Sequence, residues 1–209
     1  MVKHNCTIYV ALVLFLARNV WGQEPTTKVP VRVDASATAA AKSPGITTND
    51  YALPEVGTLH LAVPQAWQAS FKKTIVMGTR ADEVHFQPRE GNDYAAMVVA
   101  VHMTPASARD FNTREVLMEA AKSELPGAVE KTADIHDLTG PEVSGNYFSL
   151  TDGKISADKP KPGEYKYLTV GYAKLGDLVL ILRVVSNRNG EEKAQALEMI
   201  RTARLTPAP

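Results

Sequence analysis

Residues 165–186 read YKYLTVGYAKLGDLVLILRVVS, two strand-like runs, Tyr165–Lys174 and Leu178–Ser186, parted only by Leu175-Gly176-Asp177. So short a turn forces its flanking strands to lie side by side and antiparallel. Earlier in the chain, residues 94–103 read YAAMVVAVHM and are apolar on both faces except at His102. That is the pattern of a central strand covered on both sides. A chain carrying both features is committed to an antiparallel sheet with something packed on each face.

Other segments fit the same frame. In GTLHLAVP, Leu59, Leu61 and Val63 alternate with Thr58, His60 and Ala62. EVHFQP sets Val84 and Phe86 against His85 and Gln87. Strict alternation of this kind marks half-buried strands. Further strands are expected near Lys131–Leu138 and Glu142–Thr151, with Gly140-Pro141 as the turn between them. NTREVLMEAAKSELPG shifts to helical spacing: Asn112 can cap, Glu115 follows three residues on, Leu117, Ala121 and Leu125 form a stripe, and Pro126-Gly127 ends it. Asn189 with Glu192 opens a second helix, with Ala196, Ile200 and Ala203 on one side and Leu197 beside them. The expected order, β-β-β-α-β-β-β-β-α, describes an α+β domain of mostly antiparallel strands, about six to seven of them, ending in a meander.

The N-terminus carries a targeting pattern. Lys3 precedes the apolar run Ile8–Ala17, and Val20-Trp21-Gly22 follows it. The run is shorter than the roughly 20 residues a membrane-spanning helix needs. It fits a secretory signal over residues 1–22, cleaved after Gly22. Cleavage removes Lys3, Arg18 and no acid, leaving 21 basic against 23 acidic residues and a formal charge of −2. It also removes Cys6, the single cysteine, so the mature chain is expected to use no disulfide, thiolate or Cys-ligated metal. Residues 23–50 are dominated by Ala, Thr, Ser and Pro with no apolar period and read as a flexible linker. A single domain is expected over 51–206, with 207–209 as a tail.

At the level of families, the opening GTLHLAVPQAW, a helix before the meander, GNYFSLTDGK and the run from KPGEYKYLTVGYAKLG to RVVSN, and the closing ALEMIRTAR resemble a PsbP/DcrB-like domain. The family includes extrinsic subunits of photosystem II and many bacterial secreted proteins. The resemblance spans nearly all of Tyr51 to Leu205. It implies an α/β/α sandwich, an antiparallel sheet between helices, used in a binding or accessory role. Residues that plant PsbP uses to contact the photosystem have no recognisable counterparts here, and none is carried across.

Chemistry is sparse. The sequence holds no Gly-x-Ser-x-Gly, no His-Glu-x-x-His and no phosphate-binding glycine loop. His60 and His85 fall on the less apolar faces of their strands, and Asp134 and His136 share one side of DIHD. Those four residues are the candidates for a zinc or copper site and hence for a metal-dependent or other hydrolase. Against them stands their scatter, which lacks the spaced ligand pattern of a metal centre. No cofactor is expected. DFNTRE and NRNGEE are accounted for as helix caps, and Met97, Met103, Met118 and Met199 as core filler.

The stretch SLTDGKISADKPKPGEYKY is more suggestive. Asp152 to Glu164 is far longer than an ordinary hairpin loop and is stiffened by Pro160 and Pro162. It is expected to project as a mobile connector between neighbouring antiparallel strands. Tyr147, Tyr165 and Tyr167 beside Lys159 and Lys161 suit a protein partner, an anionic glycan or a lipid headgroup, and Trp67 is a further candidate for the floor of a ligand cleft. Balanced charge argues against nucleic acid. The favoured reading is a non-catalytic exported binding or accessory protein, periplasmic or extracellular, engaging an envelope protein or a small ligand, with no membrane span after cleavage. The hydrolase is the alternative.

Overall fold

The computed structural model describes residues 45–76, 79–156, 160–188 and 190–209. Residues 1–22, expected to be a secretory signal, and residues 23–44 of the expected linker lie outside them. Three strands, β1 (Ile46–Leu53), β2 (Gly57–Pro64) and β10 (Arg204–Pro207), form an antiparallel sheet in the order β1-β2-β10. Seven more, β3 (Trp67–Val76), β4 (Thr79–Pro88), β5 (Tyr94–His102), β6 (His136–Thr139), β7 (Ser144–Thr151), β8 (Tyr167–Leu175) and β9 (Leu178–Ser186), form a second antiparallel sheet. Its order is β3-β4-β5-β9-β8-β7-β6. The helices are α1 (Pro105–Asp110), α2 (Thr113–Glu124) and α3 (Glu191–Arg201), with a 3-10 turn at Leu125–Gly127. The fold is α+β, as expected, and β6 to β9 form the meander.

The tight β8–β9 connection sets the register Leu175↔Leu178, and Gly176 turns the chain at φ 57°, a left-handed conformation that disfavours side-chain-bearing residues. Alternation along the large sheet then sorts side chains into two cores. Tyr94, Ala96, Val98 and Ala100 of β5 and Leu178, Leu180 and Leu182 of β9 face one core, together with Leu59, Leu61 and Val63 of β2 and Ala196, Leu197 and Ile200 of α3. Met97, Val99 and Val101 of β5 and Val179 and Ile181 of β9 face the other, together with Val116, Leu117, Ala120 and Ala121 of α2. The sheet is therefore covered on both faces, by α2 on one side and by α3 with the three-stranded sheet on the other.

The helix α2 starts where hydrogen bonding favours it. Asn112 accepts from the Glu115 N–H at 3.2 Å, satisfying a donor the first turn of α2 would otherwise leave free. Gly190, at φ 129°, precedes α3 and offers no side-chain cap; the expected cap, Asn189, is outside the described residues.

The expected strand list was incomplete for physical reasons. Residues 46–50, read as the end of the linker, form the first half of β1, where only Tyr51 and Leu53 are buried and the polar remainder masks the strand. β3, at the edge of the large sheet, is polar over much of its length because most of its positions meet solvent. β10 has four residues and α1 only six, with Ala108 its one buried position. Pro207, assigned to the tail, lies in β10. The strand expected from Lys131 begins only at His136.

Candidate functional site

A cavity of about 220 Å³ opens where β7 and β9 end and β8 begins, beside the first turn of α3. Its walls follow from register. Ser149 pairs with Thr169 and Thr151 with Tyr167, while Thr169 pairs with Val184 and Tyr167 with Ser186. Residues directly opposite one another share a face. This row therefore lies on the face packed by α3, where the apolar core gives way to hydroxyls. Glu130, Arg188, Gly190 and Lys193 complete the lining.

The polar groups are partly spent on each other. The Ser149 and Thr169 hydroxyls lie 2.8 Å apart. The Thr151 N–H and O–H both donate to Glu130, each at 2.8 Å. Burial pushes the Glu130 carboxyl up, but the Thr151 bonds, helped by the Lys166 charge, outweigh it and hold the group below the ordinary carboxylate range. Ser186 Oγ accepts the Arg188 N–H at 2.9 Å and lies 3.2 Å from Glu192 Oε2. The Arg188 guanidinium donates to Asp93 at 2.6 Å. Lys193 is half-buried and has no ion-pair or hydrogen-bond partner among the described residues.

The long connection is fastened at its base. Asp152 N–H donates to Lys166 O at 2.8 Å, and Gly153 N–H to Gly127 O at 3.0 Å. Lys166 Nζ reaches Asp152 O at 2.6 Å and also Ile155 O. Asn187 accepts the Lys166 N–H and donates to Glu164 O. The strands it joins, β7 and β8, are neighbours, as expected.

The residues singled out in the sequence divide. Tyr167 lines the cavity. Tyr147 stacks on His136, with ring centroids 5.2 Å apart. Tyr165 is half-buried near Asp93, and burial raises its hydroxyl above the usual value. Lys161 is exposed and lies 3.9 Å from Glu164. Lys159 is outside the described residues. The three tyrosines therefore serve three different environments. Trp67 is no cleft floor: only 4% exposed, it packs against Tyr94 and Phe86 at centroid distances of 5.1 and 5.8 Å.

The hydrolase candidates are not brought together. His60 lies on the outer side of the three-stranded sheet, its Nδ1 bonded to Asp50 at 2.7 Å and its Nε2 to Thr206 at 2.8 Å. His85 lies on the α2 face of the large sheet, where Glu83 holds it at 3.1 Å. A complete core separates the two rings. Asp134 and His136 are exposed at the opposite edge, before and at the start of β6. Among the described residues no three His, Cys, Asp or Glu side chains are grouped to hold a metal ion.

Sequence reasoning missed Glu130, Ser149, Thr169, Ser186, Arg188 and Lys193. The signal was present in part: Ser149-x-Thr151 and Tyr167-x-Thr169 repeat hydroxyl residues at a period of two.

Fold and site together define an α+β domain with a small polar pocket at one end of a doubly covered antiparallel sheet. No family model matches the chain, and no curated protein matches it. Among solved structures it is similar to the solution structure of cyanobacterial PsbP from Synechocystis sp. PCC 6803, with 8% sequence identity and a TM-score of 0.47. The alignment covers 82% of this chain and 99% of that one.

Proposed function

We propose that this protein is an exported, non-catalytic binding or accessory module whose ligand is a small polar molecule seated in the hydroxyl-lined pocket. The observation that carries this reading is the pairing of Thr151 with Tyr167: the two residues that bracket the long connection are also two walls of the cavity. Loops of this length are usually functional or disordered, and here the loop's base and the pocket share residues. At about 220 Å³ the cavity falls below the roughly 300–1,000 Å³ of pockets that take drug-sized ligands, so its occupant is small. Export rests on the N-terminal pattern of residues 1–22; among the described residues no helix is long and apolar enough to cross a membrane. An envelope protein engaging the loop beside the exposed Lys161 is compatible with the same arrangement.

Equilibrium dialysis against an envelope small-molecule extract, read by mass spectrometry, tests the proposal. One compound should be enriched unchanged by the wild type and lost in Ser149→Phe, which fills the pocket, while melting temperature holds. Equal enrichment by both proteins would remove the pocket from the account, and conversion of the compound would favour an enzyme.

A further inference from the structure

We infer that the pocket selects an anionic ligand, a small molecule bearing a carboxylate or phosphate, and that Lys193 is the group that meets its charge. This rests on the pocket being the binding site. Three charged groups line the cavity, and two of them have hydrogen-bond or ion-pair partners. Glu130 receives both bonds Thr151 can give it, and Arg188 is held at the rim by Asp93. Lys193 alone among them has no partner among the described residues, and it is half-buried. An ammonium without a counter-charge beside a cavity is available to an anion that enters it.

The remaining wall suits an oxyanion. The Ser149 and Thr169 hydroxyls share one proton between them, so the pair has a second proton to donate outward. The Tyr167 hydroxyl, on the same wall, has no partner among the described residues. Ser149, Thr169, Tyr167 and Lys193 all line this one small cavity. A neutral polyol would use the hydroxyls but leave the lysine unmatched; an anion uses both.

The test is an amide-resolved NMR titration of the full chain with inorganic phosphate and, separately, with glycerol. Phosphate should move the Ser149, Thr169, Ser186 and Lys193 amides saturably, with an effect that weakens as sodium chloride is added. Lys193→Met should weaken phosphate binding by about tenfold or more, the loss expected when one charge-assisted hydrogen bond goes, whereas Lys193→Arg should largely preserve it. Lys193→Gln gives a second neutral variant should Lys193→Met lose the dispersed spectrum of a folded protein. If glycerol moves these amides and phosphate does not, or if phosphate moves them equally in the neutral variants, the anion inference falls while the pocket reading stands. If neither moves them, the anion inference falls, and the pocket reading is decided by the dialysis.

Discussion

Thr151 and Tyr167 stand opposite one another on β7 and β8, one at each end of the connection that spans residues 152–166, and both face the cavity. The loop therefore leaves from and returns to the wall of the candidate site. Lys166 is the link between them: its amine donates to Asp152 O and Ile155 O, closing the base of the loop.

That geometry separates the base of the loop from its tip. Replacing residues 157–163 with a short glycine-containing turn should leave the melting temperature within a few degrees of wild type, since loop-closure entropy changes slowly with length. Lys166→Met, which unfastens the base, should lower it by several degrees, the shift expected for a loss of about 1 kcal/mol in a domain of this size. Thermal melts of the two variants decide; a large drop on shortening would show that the tip is packed structure.

Arg183 offers a test of the other core. It is nearly buried on the α2 face of β9, and its guanidinium donates to Glu124 at 2.9 Å, at the last residue of α2. Glu124→Leu alone should destabilise by about 3 kcal/mol, because the guanidinium is left without its counter-charge. The double variant Glu124→Leu with Arg183→Met should recover most of that loss. Urea melts of the single and double variants supply the comparison, and equal losses in both would mean that the pair's charge is not what matters.

Gly145 of β7 pairs with Ala173 of β8. A Cβ there would lie 2.1 Å from the Tyr172 carbonyl oxygen and 2.6 Å from Ala173 Cα, both backbone atoms that cannot swing aside. Gly145→Ala should cost about 2 kcal/mol or more through forced separation of the strands. Gly127, with open space around its Cβ position, is the control, and Gly127→Ala should fold normally.

Acid should act through Glu130. Its carboxyl is held below the ordinary value of 4.5, so the folded state binds fewer protons than the unfolded chain in that region. Its contribution is present above pH 4.5 and is lost as pH falls through the lower, folded value. Wild type should be more stable than Glu130→Gln at neutral pH, and the difference should narrow as pH drops below 4.5. A constant difference across the acid range, in paired denaturant melts, would show that Thr151 does not favour the ionised form.

Periodicity made the central architecture legible. Leu178–Ser186 occupies the expected bounds, α2 begins at the expected cap, and the meander follows the expected order. These elements bury regular apolar faces, and regular burial leaves a regular sequence. β1, β3 and β10 lacked that imprint because they lie on edges or expose most of their length, so solvent imposes no pattern on them. The site was legible only through Tyr167. Glu130 reaches the pocket from the segment after α2, and Arg188 and Lys193 from the turn into α3 and its start, and no local spacing encodes that convergence.

The pocket is the place a ligand is expected to occupy. Crystals of the exported protein grown in the presence of the compound enriched from envelope extract provide the most direct measurement. The account predicts electron density for the unaltered compound between Thr169 and Lys193, contacting the hydroxyls of Ser149 and Tyr167. Density for the compound elsewhere on the molecule, with the pocket holding only water, would contradict it.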